Sequence, residues 1–275
     1  MAKKALIAWG GWEGHTPEQS AKIVRNLLER NGFDVTLGEG TAMFADPELA
    51  SFDLIVPVIT MSTIEKTELQ NLMHAVRGGS GLGGFHGTMG DSFRNEPDYQ
   101  FMTGGQWVAH PGNIIDYTVA ITRPDEPITS GISDFAYRSE QYYMHVDPSN
   151  EVLATTTFTD AHFPGIGGVV MPVVWKRRYG AGKVFYSSLG HTADEFAVPE
   201  MALMVERVCF GRRGGSLCQS PIAKGERRTV EAARSESLQW LESRPLLNYH
   251  PVNSKGGWNG SSANSILGRR GHGRR

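Results

Sequence analysis

The sequence predicts an α/β protein whose mainly parallel sheet lies between two layers of helices. Three observations support this fold class. Short apolar segments alternate with longer segments of helical spacing across residues 1–211, the apolar segments are nonpolar on both faces, and glycine-rich loops follow several of them. Successive strand, helix and strand units of this length form a parallel sheet that helices cover on both sides.

The first strand and the first helix are the clearest of these units. The segment KKALIAW, which begins at residue 3, is an apolar strand that ends at a Gly10-Gly11 loop. A helix is expected from about Thr16 to Arg30, because its apolar residues recur at helical spacing. Thr16 is expected to cap this helix, and Gln19 is expected to complete a capping box.

The next segments repeat the same alternation. FDVTLGE (33–39) and FDLIVPVIT (52–60) predict the second and third strands, TIEKTELQNLMHAVRGG (63–79) predicts the second helix, and GLGGFHG (81–87) predicts a fourth strand that enters a turn. Ligands bind beyond the carboxyl ends of the strands in such a sheet. The loops after the first, third and fourth strands are therefore the predicted site.

The turn after the fourth strand is typical of the strand-to-helix elbow that carries a nucleophile in α/β enzymes. Gly84 and Gly87 flank Phe85-His86, and small residues allow the close backbone approach that an elbow needs. His86 therefore occupies the position of a cysteine or serine. A neutral imidazole there can act as a base, bind a metal or accept a hydroxyl, whereas the structural alternative is a histidine that only fills the turn.

Other loops carry side chains suited to binding a sugar. A sugar site needs aromatic faces that cover C–H patches and polar groups that contact hydroxyls. The predicted substrate-binding residues are Trp12, Glu13, His15, Trp107, His110, Tyr142 and His145. Aromatic packing at the rim of the site is the structural alternative for Trp107.

Composition excludes several classes of protein. The 275 residues have a mean hydropathy of -0.30 and no apolar run of the roughly 18 residues that a membrane span needs. Cys209 and Cys218 are too few for a disulfide framework. The apolar run near the amino terminus stops at Gly10, which argues against a signal peptide. These features predict a cytoplasmic protein that does not enter a membrane.

The charge divides the chain into two parts. Residues 1–211 contain 15 Lys and Arg against 25 Asp and Glu, whereas residues 212–275 contain 12 against 4. We therefore expect one α/β domain over residues 1–211 and a basic, mostly disordered tail over residues 212–275. The tail lacks aromatic stacking motifs, which argues against a nucleic-acid arm and favours a solvated appendage. Translation of out-of-frame sequence is a further alternative.

The globular part also contains an ordered series of motifs. They are Gly10-Gly11 followed by His15, the elbow at residues 84–86, His110-Pro111, Ser139-Glu140-Gln141-Tyr142-Tyr143, and GKVFY (182–186) leading to Gly190-His191-Thr192. From residue 3 to about 211 the sequence resembles the ThuA-like, or trehalose-utilisation, proteins of the class I glutamine amidotransferase-like superfamily.

The resemblance implies both a fold and a broad function. The implied fold is a flavodoxin-like three-layer sandwich with a mainly parallel central sheet. The implied function is carbohydrate metabolism, acting on trehalose-like disaccharides or their keto derivatives. Amidotransferases of this fold carry a cysteine at the elbow where this chain has His86, so Cys-dependent glutamine hydrolysis is not expected. The expected enzyme is a sugar or keto-sugar isomerase, lyase or hydrolase.

Specific roles follow for the loop residues. We expect Glu140 to be the principal acid/base, with His86 and His191 as the other catalytic residues. The imidazoles of His15, His86, His110 and His191 form a second hypothesis, a site for a divalent metal such as Zn²⁺ or Mn²⁺. The expected partner is a small-molecule carbohydrate, with a homo-oligomer as a further expectation. A non-catalytic sugar-binding or sensing module is the alternative function.

Overall fold

The structure is a computed structural model that describes residues 2–210. The strands are β1 (Lys3–Gly11), β2 (Phe33–Glu39), β3 (Leu54–Thr60), β4 (Gly81–Phe85), β5 (Gly105–Ala109), β6 (Ile114–Ile121), β7 (Phe135–Glu140), β8 (Tyr143–Val146), β9 (Glu151–Thr157), β10 (Val170–Tyr179) and β11 (Gly182–Ser187). The helices are α1 (Pro17–Arg30), α2 (Lys66–Gly78), α3 (Gly87–Gly90), α4 (Pro97–Thr103) and α5 (Pro199–Phe210). None of these helices is long and apolar enough to cross a bilayer. The predictions for residues 212–275 lie outside the described residues.

Nine of the strands form one mixed sheet in the order β2-β1-β3-β4-β11-β10-β9-β6-β7. The first five strands in this order are parallel to one another, as the sequence predicts. The last four strands add antiparallel pairs to that sheet. Strands β5 and β8 form a separate antiparallel pair.

Both faces of the parallel half are buried by helices. All seven residues of β3 are buried. Val56 and Val58 belong to the core that contains the apolar faces of α1 and α5, whereas Ile55 and Ile59 belong to the core that contains those of α2 and α4. Alternate side chains of one strand thus enter opposite helical layers, which confirms the predicted three-layer sandwich.

The capping prediction for the first helix was wrong. Thr16 has a φ of 45° and makes no side-chain cap at α1. Its hydroxyl instead accepts the backbone N–H of Ala193 at 2.8 Å, which ties the first loop to the segment that follows β11. A capping box is present at α2, between Glu65 and Glu68. A tertiary hydrogen bond has therefore displaced the local one that the sequence favours.

The elbow lies where the sequence places it, at the end of β4. His86 has φ 46° and ψ -145°, a conformation that a non-glycine residue rarely adopts. Its backbone N–H donates to the carbonyl oxygen of Ser187 at 2.6 Å, and its own carbonyl accepts the N–H of Gly90 at 2.9 Å and the hydroxyl of Tyr186 at 3.0 Å. These three bonds hold the strained backbone and fix the direction of the imidazole.

Candidate active site

Loops from separate strands bring four ionisable side chains into one group. The loop after β1 carries His15, the elbow after β4 carries His86, and the loop after β11 carries His191, while Glu140 is the last residue of β7. One ligand atom from each of the four lies within 4.8 Å of the others. We call His15, His86, Glu140 and His191 the histidine–glutamate cluster.

The carboxylate of Glu140 lies against the imidazoles. Its Oε2 is 3.1 Å from Nε2 of His86, and its Oε1 is 3.9 Å from Nε2 of His191. The ring centroid of His15 is 4.8 Å from that of His86 and 5.0 Å from that of His191, and both contacts are edge-to-face. Three of the four side chains are buried, and that of His191 is 15 % exposed.

His86 is held on two sides. Its Nδ1 donates to the carbonyl oxygen of Ser188 at 2.8 Å, because a carbonyl can only accept. The ring of Tyr142 lies 4.1 Å from the imidazole at an angle of 30°. In the neutral ring, a proton on Nδ1 leaves the lone pair on Nε2, which faces the carboxylate of Glu140.

His15 is held from behind by the third strand. Its Nδ1 is hydrogen-bonded to Oγ1 of Thr60 at 2.9 Å, and Thr60 is fully buried at the end of β3. The backbone of the first loop reaches this position only because residue 11 is glycine, with a φ of +82°. A Cβ on Gly11 would lie 2.0 Å from the carbonyl oxygen of Thr60.

Burial and mutual contact set the charges of the cluster. Burial opposes ionisation of Glu140, but the hydrogen bond with His86 and the nearby imidazoles lower the pKa of this carboxyl to about 2. Burial and the neighbouring imidazoles lower the pKa of His15 to about 3, and burial also lowers the pKa of His191. At neutral pH an ionised carboxylate thus faces unprotonated imidazoles of His15 and His191.

A carboxylate behind the cluster, Glu195, was not identified from the sequence as a site residue. Its Oε2 accepts the backbone N–H of His191 at 2.9 Å, the backbone N–H of Gly190 at 3.2 Å and the hydroxyl of Tyr137. Its Oε1 accepts the hydroxyl of Ser139 at 2.7 Å. One side chain therefore fastens the loop of His191 to strand β7.

A second group of side chains borders the cluster. Nε2 of His110 lies 3.7 Å from Oε1 of Glu140, and the ring of His110 is 5.6 Å from that of Trp107. The guanidinium of Arg94 lies 4.7 Å over Trp107 and is fixed by two hydrogen bonds of 2.6 and 2.7 Å to Asp91. No sequence motif indicated this Arg–Asp pair.

The remaining predicted residues lie farther out. Trp12 is 48 % exposed, and its ring contacts that of His15 edge-to-face at 4.9 Å. Glu13 is exposed on a single turn of 3₁₀ helix, and His145 is exposed on β8 opposite Gln106. The structure therefore gathers His15, His86, Glu140 and His191, with His110, Tyr142 and Trp107 beside them, and leaves Glu13 and His145 at the surface.

The donors of the cluster suit either proton transfer or metal binding. Three imidazoles and one carboxylate form the nitrogen and oxygen donor set that Zn²⁺ and Mn²⁺ accept. The bond from Nδ1 of His86 to a carbonyl is an outer-shell interaction of the kind that orients metal-binding histidines. His110 lies outside the set of four mutually close ligand atoms, although the sequence grouped it with the possible ligands.

The sequence profile of a known family, described as trehalose utilisation, matches residues 4–209. The chain belongs to the ThuA family. Of the two cysteines, neither lies at the elbow of this ThuA-family protein. A search of curated proteins found no match.

Solved structures share the fold of this ThuA-family protein. A ThuA-like protein from Bacteroides uniformis ATCC 8492 is 19 % identical with a TM-score of 0.62, covering 75 % of this chain and 91 % of its own. One from Parabacteroides merdae ATCC 43184 is 17 % identical with a TM-score of 0.61, covering 79 % and 93 %. A protein of Salmonella typhimurium LT2 described as cytoplasmic is 15 % identical with a TM-score of 0.52, covering 75 % and 95 %. At these identities the likeness shows the fold alone.

Proposed function

We propose that this protein is an enzyme of carbohydrate metabolism that moves a proton beside the carbonyl of a keto-disaccharide. The reaction class is isomerisation, or cleavage of a bond next to the keto group. One observation carries the proposal: the carboxylate of Glu140 lies within 3.1–3.9 Å of the imidazole nitrogens of His86, His110 and His191. Acid/base groups so close together can remove a proton at one atom and return it at another.

Glu140 is the principal acid/base in this mechanism. Its low pKa keeps it ionised at neutral pH, so it starts the reaction as the base. The C–H beside a ketone becomes acidic when the developing enolate oxygen is stabilised, and hydrogen-bond donors fixed in a dry site provide that stabilisation. His86 and His191, whose Nε2 atoms lie 3.1 and 3.9 Å from the carboxylate of Glu140, are the donors or proton carriers in this mechanism, and both are fixed in place by contacts behind them.

The elbow supports acid/base chemistry over covalent chemistry. An acyl-enzyme or thioester needs a hydroxyl or thiol at the elbow, and the side chain there is the fully buried imidazole of His86. Tyr142 covers one face of this ring. Burial also raises the pKa of Tyr142, so its hydroxyl stays protonated and can donate a hydrogen bond to a substrate oxygen.

The family description and the aromatic rim support a sugar as the substrate. Trp12 exposes about half of its surface beside His15, and Trp107 lies beside Tyr142 on the other part of the rim. Indole faces cover the C–H patches of sugar rings, while polar groups such as His110 contact hydroxyls. Glu13 and His145 would contact only a substrate that extends beyond this rim. We also propose a cytoplasmic location, which the cysteine content and the description of the Salmonella neighbour support.

The proposal is tested by turnover of keto-disaccharides against their parent disaccharides, followed by NMR. Keto-trehalose is expected to be converted while trehalose is not, and Glu140→Gln should lower kcat by about 10²- to 10⁴-fold, the usual contribution of a general acid/base. Glu48→Gln, at an exposed carboxylate between β2 and β3, is the matched control and should leave kcat unchanged. Unchanged turnover in Glu140→Gln would overturn the mechanism. Tight binding of the sugar without any product would favour the sugar-binding module instead.

A further inference from the structure

The four donor atoms of the histidine–glutamate cluster are spaced almost as the ligands of a small metal ion. They lie within 4.8 Å of one another, and the side chains come from four separate elements. A tetrahedral Zn²⁺ with bonds of about 2.0–2.1 Å places its ligand atoms about 3.3 Å apart. Side-chain rotations that move each atom inward by about an ångström would therefore bring the four atoms into coordination.

The backbone fixes His86 in the tautomer that a metal needs. Its Nδ1 proton is committed to the carbonyl of Ser188, so the neutral ring presents the lone pair of Nε2 to Glu140. Nε2 of His86 and Oε2 of Glu140 lie 3.1 Å apart, so a hydrogen bond between them needs a second proton on the His86 ring. A metal ion bound by both atoms can take the place of that proton without changing the bond from Nδ1 to Ser188.

The other histidines are also oriented from behind. Thr60 bonds Nδ1 of His15, and Glu195 bonds the backbone N–H of His191. The bond between Thr60 and the ring of His15 is of the kind that orients metal-binding histidines, whereas the bond from Glu195 fixes the backbone of His191. A fourth imidazole, that of His110, lies 3.7 Å from Oε1 of Glu140 and outside the set of four.

We propose that His15, His86, Glu140 and His191 bind one divalent transition-metal ion, Zn²⁺ or Mn²⁺. Nitrogen and oxygen donors without a thiolate suit these ions, and one carboxylate among three neutral imidazoles leaves a positive centre that attracts a ketone oxygen. If Glu140 binds through one oxygen, the other remains beside His110 for proton transfer. The inference rests on the proposed function for what the ion would do, but not for whether the ion binds.

The test measures metal content and affinity in the full chain, expressed without a histidine tag. Elemental analysis should find about one equivalent of Zn or Mn. After removal with a chelator, calorimetric titration with Zn²⁺ alone and with Mn²⁺ alone should each show one site. His86→Ala and His191→Ala should weaken that site at least about 100-fold, because loss of a mere outer-shell partner costs about 10- to 100-fold. Glu140→Gln, which keeps the shape of the side chain, should do the same.

Matched histidine controls separate this site from adventitious binding. His74→Ala and His145→Ala remove exposed imidazoles of the described region and should leave affinity unchanged. His250→Ala with His272→Ala removes the imidazoles of residues 212–275 and should also have no effect. The proposal is overturned if the purified protein neither contains nor binds about one equivalent of Zn²⁺ or Mn²⁺. It is also overturned if the control variants lose metal affinity while the His86, His191 and Glu140 variants keep it. Full turnover of a keto-disaccharide after complete metal removal would refute a catalytic role for the ion while sparing the proposed function. A stoichiometric bound ion in a protein that converts no keto-disaccharide would refute the proposed function while sparing the metal site.

Discussion

Gly87, the residue after the elbow histidine, is a position where one added methyl group should disturb the site directly. A Cβ built at this position lies 2.4 Å from Cε1 and 2.8 Å from Nδ1 of His15, and 3.0 Å from the hydroxyl of Tyr142. The backbone of Gly87 is helical, not left-handed, so Gly87→Ala is allowed by its dihedral angles. The substitution therefore tests crowding against His15 and Tyr142 without backbone strain.

The size of the effect follows from the contact distance. Ordinary carbon contacts begin near 3.4 Å, so the ring of His15 must retreat by about 1 Å. Its retreat is opposed by the hydrogen bond to Thr60 and by edge-to-face contacts with Trp12 and His86. Overpacking of this kind costs about 1–3 kcal/mol of unfolding free energy. A displacement of about 1 Å at a reacting group costs about 10²-fold in rate.

Urea unfolding and turnover of a keto-disaccharide measure the two effects separately. Gly78→Ala is the matched control, because nothing lies within 4 Å of a Cβ at that helical position, and it should be neutral or stabilising by up to about 1 kcal/mol. If Gly87→Ala unfolds at the same urea concentration as the parent, the tight packing against His15 is refuted. Lower stability with unchanged kcat/KM would mean that the position of His15 does not matter for turnover.

Three further predictions address other parts of the site. Glu195→Gln should lower both kcat and the free energy of unfolding, because an amide cannot accept all four hydrogen bonds made to the carboxylate. Asp194→Asn, at the exposed neighbouring carboxylate, should change neither quantity. Equal behaviour of the two variants would contradict the role given to Glu195. Metal-free protein should lose stability between pH 7 and pH 5, because unfolded His15 takes up a proton near pH 6.5 while the folded residue does so only near pH 3. This difference in pKa lowers the free energy of unfolding by about 2 kcal/mol at pH 5. Glu140 changes the free energy of unfolding little in this range, because pH 5 lies above its unfolded pKa of 4.5. A flat urea midpoint across this range would refute the folded pKa of His15. Thr60→Val should weaken Zn²⁺ binding about 10- to 100-fold, and calorimetry showing no change would mean that this hydroxyl does not orient His15.

The parallel half of the fold was predictable because its signals are local. The second strand was predicted with the bounds that the structure gives, and the alternation of apolar strands with amphipathic helices identified the layers. The antiparallel strands β5 to β9 were not predicted, because these partly exposed strands depend on partners distant in the chain. The same cause explains the error at Thr16, whose hydroxyl bonds a residue 177 positions away.

For the site, loop position predicted which residues meet but not how they are supported. His15 and His86 follow the carboxyl ends of predicted parallel strands, so the rule for such sheets placed them in one crevice, whereas His191 was assigned to the site through the family resemblance. Glu195 was missed as a support because the sequence presents it beside Asp194 with nothing to distinguish the two carboxylates. The pair of Arg94 and Asp91 was missed because its contact with Trp107 exists only in the folded chain.

The measurement that tests the central claim most directly is deuterium exchange into a keto-disaccharide in D₂O, followed by NMR. If Glu140 removes a proton beside the keto group, the parent protein should place deuterium on that carbon. Glu140→Gln should slow this exchange by about 10²-fold or more while still binding the sugar. Equal rates of exchange in Glu140→Gln and in the parent protein would contradict the account.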